Sequence, residues 1–495
     1  MHWHSRATGA HRRRPLFISP SAQSVVVEVN SAASPAGPVT FANAPATSGS
    51  PATTTIAIDA PAGPDDFSIS LFDQPQTPGE TVPAGTQLGR AEVTQTINPG
   101  VTNVLNAIVS GIVGGVQVAP AANQPFVETL SATPPQAYAL VGDQPETFVV
   151  TAVDPDGNVI VPADTSPAHV DTPVVSLTAS PATTELSVAP VATDPSRFVV
   201  SVLTQKNGPG SALALLGSAS DGAGDQAQSN VAIDERSALY VDYAGSTPGI
   251  AAFDDFGNRI GLAPSAFGGL SAPGAIAYDT DDHRVFVADA GKIAAFDAAG
   301  NPAGGYTAPS LNGINGLAYD PNDKLLYAST PGSVTVFTVN GAAPSSGPAT
   351  FPAANANAIA FNPSIPVSLL IANANATTPS FDTYAENGTP LASFPIGAPG
   401  APLAVAADAV SQSVFLTDGV TIRAFTSPTT STSAADPNGP AALAFDSNIA
   451  ELYALDAAAG ALAAYSVDLS AQDAAHGFSI LSSGFSNPKG VAVAF

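Results

Sequence analysis

Asp154-Pro155-Asp156-Gly157-Asn158 places oxygen-bearing side chains at alternate positions, as in a calcium loop. The later Glu that would close such a site in bidentate fashion is missing, and apolar β-type segments flank the run, so a tight turn is the favoured reading and bound calcium the alternative. Asp254-Asp255-Phe256-Gly257-Asn258 and Asp297-Ala298-Ala299-Gly300-Asn301 have the composition of hairpin turns, and so does Thr280-Asp281-Asp282-His283. His2 and His4 flank Trp3 near the start and would bind metal only adventitiously. There is no cysteine, which excludes disulfides, thiolate nucleophiles and Cys-bearing metal sites. No Ser–His–Asp order, phosphate loop or dinucleotide fingerprint is present. No catalytic, cofactor-binding or metal-ligating residue is assigned.

These acids and amides belong to a repeat. An apolar strand ending in Asp or Asn recurs six times: Val231–Asp234, Ala275–Asp279, Gly316–Asp320, Ala358–Asn362, Ala404–Asp408 and Ala442–Asp446. A turn and a second strand follow each, beginning at Leu239, Val285, Leu325, Leu369, Val414 and Leu452. A third strand then carries an aromatic near its end: Phe253, Phe296, Phe337, Tyr384, Phe425 and Tyr465. The acid-or-amide markers are 45, 41, 42, 46 and 38 residues apart, the period of a propeller blade of three strong strands and a weaker fourth. Such a blade must bury both faces against neighbours, which explains why its strands are apolar on both sides. The markers are read as turn formers, since Asp and Asn bond nearby backbone N–H groups, and the aromatics as core between blades.

The unit Pro273–Asp279, Val285–Asp289 and Lys292–Asp297 resembles the blade pattern of the NHL and YncE-like propeller families over roughly 280 residues. The resemblance implies a fold and little about function, because these families host binders, scaffolds and enzymes. Propeller lactonases hold a divalent metal with inward acids and amides, and streptogramin lyases use an inward His. Neither constellation matches here: the repeat region has only Glu235, Glu386, Glu451, His283 and His476, all in turns, strand edges or loops. Gly490–Phe495 matches an orphan first strand. The favoured count is six blades plus this closing strand, paired near Ser211–Ile233; the alternative is seven.

Upstream, residues 1–15 read as a disordered basic tail, 16–120 as a β-sandwich module, 121–205 as a second, and 206–495 as the propeller. Thr147–Ile160 resembles a strand–turn–strand signature of bacterial immunoglobulin-like modules. Val101–Val118, the longest apolar stretch, carries Asn103, Asn106, Ser110 and Gln117 and reads as a hairpin rather than a membrane span. The fold class is therefore all-β: two sandwiches followed by a propeller.

Charged residues are only 11% of the chain and the net charge is −26. Four of the fourteen basic residues are Arg6, Arg12, Arg13 and Arg14, so the body is strongly acidic and a poor partner for nucleic acid or anionic membrane. Low charge with abundant Ala, Thr, Pro and Gly resembles bacterial secreted and cell-surface β-proteins, although Arg12–Ile18 is too short for an export leader, and the expectation is that an upstream signal is missing. The function expected is non-catalytic: extracellular binding, adhesion or an envelope scaffold, with a protein or glycan ligand at the propeller face and no cofactor. One alternative is a propeller lactonase or lyase. Another is a self-assembling surface protein whose arm, Leu16–Asn30, pairs with a neighbour's sheet edge.

Overall fold

The computed structural model describes residues 19–31, 39–43, 56–77, 83–107, 109–160, 173–182, 185–203, 213–221, 224–243, 248–344, 349–363, 368–396, 400–427, 430–436, 438–447, 449–470, 472–479 and 488–494. The basic tail and the His2–Trp3–His4 run lie outside them. Every regular element described is a strand, and no helix long and apolar enough to cross a membrane occurs among the described residues.

The first unit is one antiparallel sheet. Its strands are β1 (Ser24–Ser31), β2 (Val39–Asn43), β3 (Gly63–Phe72), β4 (Gln87–Ile97) and β5 (Ser110–Gly111), in the order β2-β1-β3-β4-β5. Alternation in Val25-Val26-Val27-Glu28-Val29 and Phe67-Ser68-Ile69-Ser70-Leu71 puts Val25, Val27, Val29, Phe67, Ile69 and Leu71 in one core. Ile56, Ile58, Leu105 and Ala107, from non-strand segments, pack against it. Residues 56–60 are thus a covering segment rather than a strand. In the proposed assembly arm, β1 pairs with β3 along Ser24–Ser31 and with β2 along Ser24–Glu28, so Ser24–Glu28 is paired on both sides.

The second unit has two facing sheets. It comprises β6 (Gly115–Pro120), β7 (Val127–Ser131), β8 (Ala137–Val141), β9 (Glu146–Val153), β10 (Val174–Ser180), β11 (Leu186–Val191), β12 (Asp194–Val202), β13 (Leu213–Ser220) and β14 (Gln226–Arg236). The orders β10-β13-β14-β8-β7 and β11-β12-β9-β6 enclose a core that includes Val118, Phe148, Val150, Val200, Leu215 and Val231. Three expectations change here. Val101–Val118 is not a hairpin: β5 pairs with β4 while β6 pairs with β9, so the stretch passes between units. Residues 205 and 206, the expected boundary, fall between β12 and β13 of this one core, and the unit extends to Arg236. Val231–Asp234 is not a first strand of the repeat, because β14 pairs with β13 and, in parallel, with β8. Its apolar–Asp ending mimics the repeat, but its partners decide its place.

From Ala238 the sheets come in series. The first holds β15 (Ala238–Tyr243) and β16 (Gly249–Asp254); the second β17 (Pro273–Asp279), β18 (Arg284–Asp289) and β19 (Lys292–Asp297). The third holds β20 (Gly316–Asp320), β21 (Leu325–Thr330), β22 (Ser333–Thr338) and β23 (Thr350–Pro352). The fourth holds β24 (Ala356–Asn362), β25 (Ser368–Asn373), β26 (Ser380–Tyr384) and β27 (Pro390–Pro395). The fifth holds β28 (Ala404–Asp408), β29 (Ser413–Thr417), β30 (Thr421–Ser427) and β31 (Thr430–Ala435). The sixth holds β32 (Pro440–Asp446), β33 (Glu451–Asp456), β34 (Ala461–Ser466) and β35 (Gln472–Ser479). The last strand, β36 (Val491–Ala494), returns to the first sheet and pairs with β15, Val491 opposite Val241 and Ala494 opposite Ala238. The expected partner of this strand, Ser211–Ile233, belongs to β13 and β14 instead.

The strands β17, β20, β24, β28, β32 and β36 touch one another in a closed cycle. The fold is all-β and propeller-like. An apolar cluster fills each junction between successive sheets, and the repeated aromatics enter these clusters as expected: Phe296, Phe337, Phe425, Tyr465 and Phe253 each join buried residues of the preceding sheet, and half-buried Tyr384 packs alongside its own.

The units are joined by polar contacts as well as core. Arg90 Nη2 reaches Asp221 (3.1 Å) and Asp225 (2.7 Å), tying β4 to the β13–β14 turn. Phe126 and Val141 share a cluster with Tyr240, Tyr278 and Phe296 of the ring. Arg236 donates to Asp254 (2.5 Å), Glu128 (3.3 Å) and Asp234 (2.9 Å), and lies 4.6 Å from the Phe256 ring centroid. The Tyr278 hydroxyl donates to Asp143 (2.5 Å) and accepts from Gln144 Nε2 (2.6 Å).

Candidate functional site

The inner wall of the ring comes first. Positions of the inner strands that are neither fully buried nor strand-terminal include Gly274, Ala275, Asn357, Ala360, Phe361, Ala407, Ala444 and Phe445. The acids of these strands sit at their ends and are almost wholly buried. Asp279 Oδ1 accepts from the N–H groups of Asp281 (2.9 Å) and Asp282 (3.1 Å). Asp320 Oδ1 does the same for Asn322 (2.8 Å) and Asp323 (3.4 Å), and Asp408 for Val410 (2.8 Å) and Ser411 (3.2 Å). The expected turn chemistry is thus visible atom by atom.

A second series of acids guards the other ends of the inner strands. Asp289 Oδ1 accepts from Ser271 N (2.7 Å) and Ala272 N (2.6 Å), and Asp242 Oδ1 from Lys489 N (2.5 Å) and Gly490 N (2.6 Å). Asn357 Nδ2 donates to Pro402 O (3.1 Å) and Asn315 Nδ2 to Ala356 O (3.1 Å), crossing between sheets.

A five-residue turn recurs beyond the third strands. In Asp254–Asn258 and Asp297–Asn301 the first N–H donates to the fifth carbonyl at 2.8 Å, and the fourth N–H to the first carbonyl, with Gly257 and Gly300 at φ 81° and 83°. Asp154–Asn158 is the same turn in the second unit. There Asp154 accepts from Asp156 N (3.0 Å), Asn158 N (2.8 Å), Asn158 Nδ2 (3.0 Å) and Ser19 Oγ (2.5 Å). Protein donors therefore occupy the carboxylate that the calcium reading would need. Ala385-Glu386-Asn387-Gly388-Thr389 has the same backbone bonds without the leading Asp.

One group of acids has carboxylate oxygens beyond those its turns use. Asp320, Asp323 and Glu386 each bring a carboxylate oxygen within 4.8 Å of the others. Asp320 and Asp323 come from the β20–β21 turn and Glu386 from the β26–β27 turn of the next sheet. Asp320 is fully buried; no N–H or hydroxyl donates to its Oδ2, and its remaining side-chain partner is the Glu386 carboxyl, which can bond it only when one of the two is protonated. The Tyr327 hydroxyl, on β21, is equally buried and has no hydrogen-bond partner. Burial, then the Asp320 and Asp323 charges, push the Glu386 carboxyl up; burial also raises Asp320. Burial raises the Tyr327 phenol well above its usual range, with the three carboxylates adding to it. Glu386 was legible in sequence only as a turn residue. Aligning its turn with Asp254–Asn258 and Asp297–Asn301 puts it at the second position, where the neighbours have Asp255 and Ala298.

No family model matches the chain, and no curated protein matches it. Solved structures that resemble part of it include a chain of a nidogen/laminin complex, at 16% identity and TM-score 0.42, over 52% of this chain and 98% of that one. A Bacteroides caccae protein of unknown function aligns at 13% identity and TM-score 0.38, over 52% of this chain and 99% of its own. A functionally unknown protein of Desulfotomaculum acetoxidans aligns at 15% identity and TM-score 0.36, over 52% and 89%.

Proposed function

We propose that this chain is a non-catalytic recognition or scaffold protein of the bacterial envelope or medium. In this reading the ring is a six-bladed propeller of the NHL/YncE-like kind, closed by β36, and the second unit is an immunoglobulin-like sandwich docked against it. One observation carries the functional part: the acids at the inner-strand ends bind the backbone of their own turns, leaving apolar and amide side chains along the inner wall. A hydrolase or lyase needs a base or a metal aimed at a substrate from that wall. A ring built this way offers shape and hydrogen bonding to a protein or glycan at its faces. The acidic body fits an extracellular partner better than nucleic acid or anionic lipid.

The test pairs two measurements on the full chain. Lactone and ester panels, with and without added divalent metal, should show no turnover above buffer, while protein and glycan arrays should show saturable binding. Turnover that disappears on substituting an inner-wall residue, such as Asn357→Ala, would overturn the reading in favour of a propeller enzyme.

A further inference from the structure

We propose that Asp320, Asp323 and Glu386 hold a hard divalent cation, calcium or magnesium in kind, that pins the third sheet of the ring to the fourth. The three carboxylates converge from two sheets to within 4.8 Å of one another, a spacing that oxygen ligands around one ion adopt. Like charges so placed repel unless a cation or a proton intervenes. Asp320 Oδ2 is fully buried with no N–H or hydroxyl donor, and its contact with the Glu386 carboxyl leaves it without one whenever both groups are ionised, which is costly. The Tyr327 hydroxyl is a second buried polar atom without a partner, and it feels the charges of all three carboxylates. The nearest lysine in sequence, Lys324, lies 3.8 Å from Asp281, on the side of the preceding sheet. Asp320 can serve both tasks, since Oδ1 caps the turn and leaves Oδ2 for the ion.

Comparison within the ring strengthens the assignment. The second position of the five-residue turn is Ala298 after the second sheet's third strand and Val339 after the third sheet's; the backbone bonds of the two turns match. Each adjoins the preceding sheet through neutral contacts: Ala298 O accepts from Tyr240, and Val339 packs in the cluster between the second and third sheets. An apolar residue suffices there for packing, and Glu386 instead brings a carboxyl to buried Asp320 and to Asp323. Asp255 repeats the substitution in the first sheet, where Tyr453 of the sixth feels Asp446, Asp255 and Glu451. The two acidic junctions lie three sheets apart.

Calcium titration by calorimetry on chelator-stripped full-length protein at pH 7.5 tests this, with magnesium as a parallel arm. Wild-type should bind about one ion tightly per chain, and saturation should raise the melting temperature on the order of 5 °C. Glu386→Ala, which installs the residue of the Asp297–Asn301 turn, should abolish tight binding and the thermal shift while the protein stays folded. Asp323→Asn should weaken binding roughly tenfold or more. Two results overturn the proposal: tight binding that survives both substitutions, or a wild-type melting temperature that ignores both ions. In the second case a proton bridges Asp320 and Glu386, and Glu386→Ala would stabilise the metal-free protein.

Discussion

Buried carboxylates control this molecule at the residue scale. Burial pushes Asp242 up to about 7 against the opposing hydrogen bonds from Lys489 and Gly490, and burial alone pushes Glu146 up to about 7. Burial, with Asp254 adding to it and Arg236 opposing, raises Glu128 to about 7; burial, then Asp436, raises Asp456 to the same level. Each group holds a proton in the folded chain at pH values where the unfolded chain has released it. The folded state therefore binds more protons between about pH 4 and pH 7, and stability falls as pH rises through that window. His283 acts in the same sense: its hydrogen bond to Asp143, 3.1 Å away, raises it against burial, so its contribution is present at low pH and lost as pH rises through its folded value. The melting temperature in chelator at constant ionic strength should be higher at pH 5 than at pH 8. A curve rising toward pH 8 would show that the carboxylates ionise freely in the folded state.

At the scale of elements, the five-residue turn separates backbone strain from crowding. Gly157 has φ 82° and nothing within 4 Å of where a Cβ would stand, so Gly157→Ala meets only the cost of a left-handed backbone. Gly490 is a case of close approach: a Cβ there would stand 2.2 Å from Gly274 O, backbone of the neighbouring inner strand. Gly157→Ala should cost about 1 kcal/mol in denaturant unfolding, and Gly490→Ala at least twice that, because neither backbone can yield without shifting a strand. Equal costs would mean that β36 seats loosely against β17. These turns and strands were legible in sequence, since Asp-x-x-Gly-Asn and apolar–Asp endings carry local chemistry that needs no distant partner. Val231–Asp234 shows the limit. Its residues fit a blade strand and a sandwich strand equally, and only pairing with Leu213–Leu215 and Ala137–Ala139 distinguishes them. The Asp320–Asp323–Glu386 group was hidden for the same reason: its members are 66 residues apart at most and meet only because the third and fourth sheets stand side by side.

At the scale of the whole molecule, the chain closes a ring with its own end. The sequence pattern announced an orphan first strand at Gly490–Phe495, and β36 does complete the sheet of β15 and β16. The partner was misjudged because the first repeat lacks an inner strand of its own; the segment that resembles one belongs to the unit before. Closure rests on three features in sequence neighbours: pairing of Val491–Ala494 with Ala238–Val241, the two N–H groups of Lys489 and Gly490 on buried Asp242, and Val491 in the cluster shared by the first and sixth sheets. Removing residues 488–495 strips all three. It leaves β15 with an unpaired edge, leaves Asp242 buried without its donors, and exposes β17 and β32, which β36 separates. The truncated chain should lose cooperative unfolding and aggregate on concentration, whereas deleting 428–435, which contains the outermost strand of the fifth sheet, should keep the ring closed because no inner strand is touched. Light scattering with thermal melting reads both outcomes. If the chain lacking 488–495 stays monomeric and melts like the parent, β36 does not hold the ring together, and the first and sixth sheets are joined by their side-chain cluster alone.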